Sequence, residues 1–549
     1  MKLSKILLIQ PPIEDFYETD IRLQPIGLCY LKSTIQQYYP EISVKVLDFH
    51  SGWGRKSIPI PKSLEYLKPY YQYSDKSPFS VFYQYFHFGA SFEEIIEVIK
   101  KEKADLIGIS ALFTPYFQEV IKTAEIIKKY LDIPIVLGGS HISAMPEQML
   151  KYDCVDFIIR GEGERPIIEF IKCRIENGDL NSVPNLGYKK DGELILNPLL
   201  ENYPFEKIPR PDFSDFDLQN YLYEKKPLAF ITTSRSCAYK CSFCSVHTTF
   251  GKKYRKRDAD SVFQEIIQRY ESGYRVFDFE DDDLTFNKQD MIELCQKLQS
   301  NFKPGEIELL AMNGISYMSL DEVILTSMKK AGFSHLNLSL VSSSAETIKM
   351  CHRPHRIEQY HDTVNIAFRL GYKIVSYQII GLPFETLESM IETLLVHVRL
   401  PVLIGASMFY LPPGSPISEQ FPIQSEEALF KARLTSMALE TDHFRRSDIY
   451  TLFITVRIIN FIKGFSASGN KCTLIDLVKD LDGGDYRTTM GMKLLQILFD
   501  EQKLMTVSGK QHHLRTQFDY SLFSRIWNRL SYIQTQENKS IVLSTECKK

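Results

Sequence analysis

The chain lacks the features that mark several large classes of protein. Its 65 basic and 68 acidic side chains leave a net charge of −3, which gives no basic field for nucleic acid and no polybasic signal for a membrane surface. No apolar run has the length of a transmembrane helix, and the nearest, 450–462, is short and contains Arg457. The first ten residues lack a small-residue cleavage site, so we expect no signal peptide. Free thiols favour a reducing cytoplasm as the location.

Cysteine is also scarce, with ten in 549 residues, which excludes a disulfide framework. A hydrophobic content of 44% and a charged content of 24% are ordinary for a globular chain, here long enough for three or four domains. Seven of the cysteines are scattered, as small core residues are. The other three lie together, in the spacing C-x-x-x-C-x-x-C: Cys237, Cys241 and Cys244.

These three thiols predict a metal site. Thiolates are the soft ligands that iron–sulfur clusters select, and three of them leave one iron of a four-iron cluster open to a small molecule. The loop is therefore a candidate catalytic site. Zinc is the alternative, because His247 could complete a Cys3His site. A strand pattern over 228–233 and a helix pattern over 260–272 flank the loop and favour a cluster, since a zinc knuckle more often lies between short hairpins.

The first 175 residues alternate strand and helix patterns. Five short apolar runs are separated by helical periodicities, which predicts a doubly wound parallel sheet. Ligands of such sheets bind beyond the carboxyl ends of the strands. Glycines follow the fourth and fifth predicted strands, at 138–141 and 161–164, where they would let the backbone approach a large ligand closely.

The cysteine spacing resembles that of the radical S-adenosylmethionine (SAM) enzymes. The resemblance implies a [4Fe–4S] cluster, with Cys237, Cys241 and Cys244 as its ligands and as the catalytic residues. It also implies that SAM chelates the open iron and is split by an electron from the cluster into a 5′-deoxyadenosyl radical. An electron donor of the flavodoxin or ferredoxin type follows from the need to reduce the cluster.

Four segments in order resemble the cobalamin-binding domain that precedes many of these enzymes: 24–28, 105–110, 138–141 and 156–164. The alternative is a domain that keeps this fold without a corrinoid. The expected cobalamin contacts are Gln10, Pro11, Pro25, Gly27, Ser110, Gly138, Gly139, His141, Gly161, Glu162 and Gly163.

Two histidines of this domain could tempt a cobalt assignment. Asp48-Phe-His50 follows the second strand and lacks the glycine spacing of the cobalt-ligating motif, so we expect no histidine on cobalt. His50 and His141 are then predicted to form loop hydrogen bonds, although imidazole is a capable metal ligand.

Residues 228–416 resemble the partial (β/α)6 barrel of the radical family. The resemblance places SAM near Glu280, Asp281 and Asp282, after the second barrel strand, with Glu280 and Asp282 equally favoured for its amino group. A solvated acidic turn is the alternative. The remaining expected SAM contacts are Phe243, Ser339, Ser342 and Gly381.

The barrel departs from the family pattern at three positions. Val341 stands where the family usually has glutamate, so a SAM contact is lost or moved to Ser339 or Ser342. Ser236 and Ala238 replace the usual glycine and proline around the first cysteine. None of these changes removes a cluster ligand, so we interpret the chain as a divergent member.

The other regions predict connections and a cap. Residues 51–90 form an aromatic insertion that packs over the corrinoid or against a neighbouring domain. Residues 176–227 are a connector with an Asp-Gly hairpin. Residues 425–549 are mainly helical, with a hairpin at 502–514 that suggests a winged-helix-like unit, and end in a frayed tail from Asn538.

The sequence thus predicts an α/β protein: a Rossmann-like cobalamin domain, a partial barrel and a helical cap. The resemblance favours a cobalamin-dependent enzyme that methylates an unactivated carbon. Two alternatives stay open: a radical cyclase or oxidoreductase of the same architecture, and a non-catalytic corrinoid or zinc protein. The substrate is unknown; a lipid, a tetrapyrrole, a peptide or a small secondary metabolite would fit, and the aromatic content leans toward an apolar one. We expect a monomer.

Overall fold

The computed structural model describes residues 3–17, 23–200, 203–423, 425–465, 471–473, 485–509 and 511–543. The chain divides into two compact units. The first unit comprises Met1–Ile58, Tyr85–Asn313 and Leu411–Ala432, and the second comprises Pro59–Gln84, Gly314–Tyr410 and Arg433–Lys549. Within the described residues, no helix is both long enough and apolar enough to cross a membrane.

A seven-stranded sheet organises the N-terminal part of the first unit. Its strands are β1 (Lys5–Gln10), β3 (Ser43–Asp48), β6 (Leu106–Ser110), β7 (Ile135–Gly138), β8 (Phe157–Ile159), β9 (Leu186–Lys190) and β10 (Glu193–Leu196). Their order is β10-β9-β8-β7-β6-β1-β3, and the five strands from β8 to β3 are parallel. The predicted doubly wound sheet is confirmed. Its strand order changes direction between β1 and β6, which is where such sheets open a ligand crevice.

Helices cover this sheet because their apolar residues recur at helical spacing. The helix Phe92–Glu102 begins with a capping box between Ser91 and Glu94 and buries Ile95, Ile96 and Ile99. The other helices of this part are Ile26–Tyr38, Phe117–Tyr130, Ser140–Ala144, Pro146–Leu150 and Glu164–Glu176.

The aromatic insertion is more ordered than a loop. Its ends form β4 (Arg55–Ile58) and β5 (Tyr85–Phe88), which pair with β2 (Ile13–Asp15) in a small antiparallel sheet. Residues 59–84 belong instead to the second unit. There Asp75 forms a buried ion pair with Arg515, and Tyr71 donates a hydrogen bond to the carbonyl of Thr435 over 2.8 Å. The insertion therefore packs against the C-terminal region, one of the two predicted outcomes.

The strands of the segment predicted to form a partial barrel lie in two separate sheets, one in each unit. The first unit holds a sheet of β11 (Leu222–Tyr223), β12 (Lys226–Ile231), β15 (Val276–Phe279) and β16 (Glu308–Leu310), in that order, with β12, β15 and β16 parallel. The second unit holds the parallel sheet of β17 (His335–Val341), β18 (Lys373–Ile380) and β19 (Leu403–Met408). Their helices are Val246–Phe250, Ala259–Glu271, Lys288–Asn301, Glu322–Ala331, Ala345–Met350, Ile357–Arg369 and Leu387–Val398. The predicted alternation of strands and helices is confirmed.

The C-terminal region is mainly helical, as predicted. Among the described residues of 425–549, the helices are Glu426–Phe430, Arg446–Lys463, Tyr486–Glu501 and Tyr520–Trp527, and the short helix Pro416–Gln420 precedes them. The predicted hairpin is formed by β21 (Met505–Ser508) and β22 (Gln511–Leu514). The prediction of a frayed tail from Asn538 is wrong for its first residues. There β24 (Ser540–Val542) pairs with β20 (Lys471–Thr473) and β23 (Tyr532–Gln534), and the side chain of Ile541 is fully buried. The rest of the expected tail, 544–549, lies outside the described residues.

Candidate active site

The three clustered cysteines lie on a loop that a short ribbon closes. Two strands, β13 (Ser234–Arg235) and β14 (Arg255–Lys256), pair in antiparallel fashion at the two ends of the loop. Cys241 is buried, whereas Cys237 and Cys244 are half-buried, and none of the three forms a disulfide. The ribbon fixes both ends of the loop, so the three thiols are held on one closed segment.

Ser236 turns the backbone directly before the first cysteine. Its φ is +67°, in the left-handed region that favours glycine. Its hydroxyl donates a hydrogen bond to the carbonyl of Gly251 over 2.7 Å. This bond across the loop helps to stabilise serine at a position where the sequence showed a departure from the family's glycine.

His247 is engaged with the backbone on both sides of its ring. Its Nδ1 lies 2.9 Å from the carbonyl oxygen of Gly251, and its Nε2 lies 2.8 Å from that of Tyr239. In the part of the chain that the structure describes, no three His, Cys, Asp or Glu residues converge on a single ion. A closed zinc site requires such convergence, whereas the thiolates of a cubane each bind a different iron. Because both ring nitrogens of His247 face backbone carbonyls, His247 is not placed to complete the Cys3His site of the zinc alternative.

The thiol of Cys237 lies in a partly buried position beside a carboxylate. Burial raises the pKa of Cys237 to about 12, and Asp283 adds to this effect with its Oδ2 3.9 Å from the sulfur. Iron binding would replace the thiol proton, as metal binding to thiols generally does.

The acidic run 280–283 alternates between two environments. Asp281 is buried and accepts hydrogen bonds from the backbone and hydroxyl of Thr233 and from the hydroxyl of Ser234, the last two over 2.6 and 2.5 Å. It therefore ties the end of β12 to the end of β15. Glu280 accepts a hydrogen bond from Nδ2 of Asn313 over 2.8 Å and, like Asp282, lines a large cavity.

Asp282 combines access to solvent with a raised pKa. Its side chain is reachable through the cavity, yet the surrounding protein raises its pKa to about 7, and the neighbouring Asp281 adds to this. The carboxyl of Asp282 is surrounded by protein but faces a pocket that water can enter. Such a group favours a cationic partner.

The cavity has a volume of about 680 Å³ and lies within the first unit. This is the size range of ligand and cofactor pockets. One part of its wall follows the parallel strands of the N-terminal sheet, and another follows β12 and β15. The predicted residues that line it are Gln10, Pro25, Gly27, Ser110, Gly138, Gly139, Gly161, Glu162, Gly163, Glu280 and Asp282.

Comparison with known proteins agrees with this arrangement. Residues 231–396 match the Radical SAM superfamily, and residues 79–171 match the B12 binding domain. The chain therefore contains a radical SAM domain and a B12-binding domain. The predicted family, architecture and cofactor classes are thereby confirmed.

Three proteins to which this chain is similar include two methyltransferases and a cyclase. An uncharacterised methyltransferase of Pyrococcus horikoshii is 26% identical over 410 residues, 73% of this chain and 79% of that protein. The anaerobic magnesium-protoporphyrin IX monomethyl ester cyclase of Rubrivivax gelatinosus is 29% identical over 55% of each chain. The radical SAM methyltransferase TsrM of Kitasatospora setae, solved with cobalamin and a [4Fe–4S] cluster, has a TM-score of 0.58 at 17% identity, covering 76% of this chain and 75% of its own. The last likeness is one of fold.

Two of the expected cobalamin contacts do not line the cavity. Pro11 is buried, next in the chain to Gln10, which does line the cavity. His141 is buried against Phe117, with Nδ1 3.2 Å from the hydroxyl of Thr114, and burial lowers its pKa to about 4. His50 is likewise buried, with its ring beside Phe88. The ring of His141 thus has a hydrogen-bond partner in Thr114, and Nδ1 of His50 lies 3.5 Å from the carbonyl oxygen of Phe88, in keeping with the loop hydrogen bonds that the sequence favoured.

Two glycines of the cavity open into empty space. A side chain at Gly27 would meet no atom within 4 Å, and one at Gly138 would meet only a carbonyl at 3.8 Å. Gly139 differs: its φ is +117°, and a Cβ would lie 2.6 Å from the carbonyl oxygen of Ala111. Gly27 and Gly138 therefore leave room for a ligand, while Gly139 is required by the chain's own packing.

The remaining expected SAM contacts lie elsewhere. Phe243 is half-buried on the cluster loop and does not line the cavity. In the second unit, Ser339 is half-buried at the end of β17, and Gly381, with φ +89°, is buried after β18. Ser342 is fully buried, and its hydroxyl donates to Glu385 over 3.3 Å.

Val341 lies at an irregular point of β17. A bulge separates Ser339 from Val341, and Val341 has a φ of +69°, which is rare for a β-branched residue. Its side chain is buried. Because Ser342 is occupied within the core, Ser339 is the better placed of the two candidate replacements for the missing glutamate.

Arg235 is a site residue that the sequence analysis missed. It pairs with Glu162 over 2.7 Å and with Glu164 over 2.5 Å, and all three side chains are buried. Its guanidinium also lies over the rings of Phe205 and Tyr30, at 4.5 and 5.1 Å from their centroids. The position of Arg235 next to the cysteine loop could have indicated a role in the site. Its partners Glu164 and Glu162 could not be predicted, because they lie 71 and 73 residues away in the chain.

Gln24 is a second missed residue. Its Oε1 accepts a hydrogen bond from the backbone of Phe230 over 2.7 Å, and its Nε2 donates to the carbonyl of Leu228 over 3.3 Å. One side-chain amide therefore joins the N-terminal domain to the backbone of β12, the strand that leads to the cysteines.

Proposed function

We propose that this radical SAM protein is a cobalamin-dependent methyltransferase that methylates an unactivated carbon. The single observation that carries the proposal is the shared cavity of the first unit. The glycine-rich strand ends of the B12-binding domain and the carboxylates Glu280 and Asp282 line the same space of about 680 Å³. A methyl carrier and a radical source need such a common space if both are to reach one substrate.

Cys237, Cys241 and Cys244 are the proposed cluster ligands. When bound, the cluster and SAM supply a carbon-centred radical, and cobalamin supplies a methyl group. We propose that Glu280 and Asp282 hold the SAM ammonium in a charge-assisted hydrogen bond. Asp281 instead stabilises the loop that carries them, because its carboxylate is occupied by Thr233 and Ser234.

The N-terminal wall of the cavity is the proposed cobalamin site. Glycine at 27 and 138 leaves the backbone open to a large planar ligand. No histidine is among the described residues that line the cavity, so we propose that none from this wall ligates cobalt. Leu112 and Phe113 add exposed apolar surface, each 41% exposed, which would exclude water once it is covered.

A second candidate is a radical cyclase or oxidoreductase without methyl transfer. The similarity to the magnesium-protoporphyrin cyclase, at 29% identity over 55% of each chain, favours it. The apolar wall suits an apolar substrate in either case. We further propose that the enzyme is a monomer. We place it in the reducing cytoplasm, since a cluster with two half-buried ligands, Cys237 and Cys244, needs protection from oxidation.

The test uses anaerobically purified full-length protein, reconstituted with iron and sulfide and supplied with hydroxocobalamin, dithionite and SAM labelled at its methyl group. Mass spectrometry follows 5′-deoxyadenosine and S-adenosylhomocysteine. We expect both products from the wild type, with the second dependent on cobalamin. Cys241→Ala should abolish deoxyadenosine, whereas the control Cys173→Ala, at another buried cysteine, should not.

Each other outcome excludes a proposal. Deoxyadenosine without S-adenosylhomocysteine would contradict methyl transfer and support the cyclase-like candidate. If neither product forms and the metal analysis finds zinc, both enzyme proposals are wrong.

A further inference from the structure

The cysteine loop carries an unusual charge. Residues 236–256 contain four lysines and one arginine and no carboxylate, in a chain of net charge −3. Arg255 is buried in an ion pair with Glu162, and Lys256 pairs with Asp290. Lys240, Lys252 and Lys253 are exposed, and no described residue forms an ion pair with them.

The fold brings these three lysines to one place. Lys240 follows Tyr239, and Lys252 follows Gly251. The ring of His247 spans the carbonyls of Tyr239 and Gly251, at 2.8 and 2.9 Å. The backbone segments that carry Lys240 and Lys252 therefore lie on opposite sides of the His247 ring. The paired strands β13 and β14 hold the two ends of the loop together.

An exposed aromatic group lies beside the same segments. Phe286 is 44% exposed, and its ring lies 4.9 Å from that of Tyr254 and 6.4 Å from that of Tyr239. Tyr254 is the neighbour of Lys253, and Tyr239 is the neighbour of Lys240. An apolar centre with a charged rim is the usual composition of a protein-docking surface.

We propose that Lys240, Lys252, Lys253 and Phe286 form the docking surface for an acidic one-electron carrier protein. This rests on the proposed function, because it names the partner of the cluster that Cys237, Cys241 and Cys244 would hold. The carrier gives up one electron and is oxidised, and the cluster accepts that electron and is reduced, with no bond made or broken. Unpaired cations next to the cysteines attract an acidic partner and orient it toward them.

Binding is measured first, without SAM and without turnover. The probe is an oxidised, FMN-loaded bacterial flavodoxin, titrated into the reconstituted full-length protein at 20 and 200 mM salt. We expect saturable binding that weakens with salt, and a Kd raised at least tenfold in Lys252→Glu/Lys253→Glu. The control Lys172→Glu/Lys190→Glu changes the net charge equally at two other exposed lysines and should alter the Kd less than twofold.

Reduction is measured second, by electron paramagnetic resonance of the cluster. Lys252→Glu/Lys253→Glu should slow reduction by flavodoxin at least fivefold and leave dithionite-driven deoxyadenosine formation unchanged. An equal effect of both double variants, or no saturable flavodoxin binding, would overturn the docking surface. Slower dithionite-driven turnover would overturn it too, since the lysines would then serve an anionic substrate. Absence of deoxyadenosine from the wild type would instead refute the proposed function.

Discussion

Arg235, two residues before Cys237, forms a buried ion pair with Glu164, the first residue of the helix that follows the last glycine-rich loop of the B12-binding domain. The same guanidinium pairs with Glu162, which also pairs with Arg255 on the opposite strand of the ribbon. One charge network therefore connects the base of the cysteine loop to the wall of the cavity. A buried network of this kind is costly to break because the remaining charges lose their partners.

Arg235→Leu should destabilise the protein by about 3–5 kcal/mol, because it leaves Glu164 buried without its cation. Denaturant unfolding of the purified variant measures this. Arg165→Ala is the control: its pair with Glu169 is partly exposed and should contribute no more than about 1 kcal/mol. Equal losses in the two variants would contradict the importance of the buried network.

Gly27→Leu should keep the fold and weaken cobalamin binding at least tenfold. Gly27 lies in the first turn of the helix Ile26–Tyr38, where leucine is a better helix former than glycine and would point into open space. Thermal unfolding should be unchanged or raised, while absorbance titration with hydroxocobalamin shows the loss.

Gly139→Ala provides the matched contrast. Its left-handed backbone and the carbonyl of Ala111 leave no room for a Cβ, so we expect a loss of at least about 2 kcal/mol in stability.

Full cobalamin affinity in Gly27→Leu would show that cobalamin binds elsewhere.

Glu280→Gln and Asp282→Asn should each weaken SAM binding by about 1.5–3 kcal/mol, the range for a hydrogen bond to a charged group. Equilibrium dialysis with labelled SAM measures the affinity. Asp281→Asn should mainly lower the stability, because Thr233 and Ser234 lose a charged acceptor. If Asp281→Asn alone abolished SAM binding in a folded protein, the assignment of Glu280 and Asp282 to SAM, and of Asp281 to the loop, would be wrong.

Glu385 makes the stability of the second unit depend on pH. Burial raises its pKa to about 8, so the folded state keeps a proton that the unfolded state releases above its ordinary value near 4.5. The unfolded state then binds fewer protons, and stability falls as the pH rises between these values, by up to about 1.4 kcal/mol per pH unit. Glu385→Gln should remove this loss, so its advantage over the wild type grows from pH 5.5 to 7.5.

Urea unfolding at several pH values measures that advantage. Glu388→Gln is a surface control, since Glu388 pairs with Arg529 and is half exposed; it should change the free energy of unfolding by no more than about 1 kcal/mol. An advantage of Glu385→Gln that does not vary with pH would contradict a carboxyl that stays protonated in the fold.

The sequence by itself determined the elements and the chemistry that depend on local spacing. The Asp191-Gly192 turn between β9 and β10, the five parallel strands and the C-x-x-x-C-x-x-C loop all rest on residues close together in the chain. Local spacing also indicates which carboxylates of the acidic run 280–283 share one side of the chain. In extended backbone, residues two apart point the same way, which groups Glu280 with Asp282.

Only the tertiary structure decided which distant residues complete the site. It paired Arg235 with Glu162 and Glu164, joined Gln24 to β12, and gave both ring nitrogens of His247 to backbone carbonyls. It also assigned residues 59–84 to the second unit rather than to the sheet that flanks them in sequence. The physical reason is that buried charges and polar groups take whatever partner the packed chain brings within reach, and local sequence patterns do not carry that information.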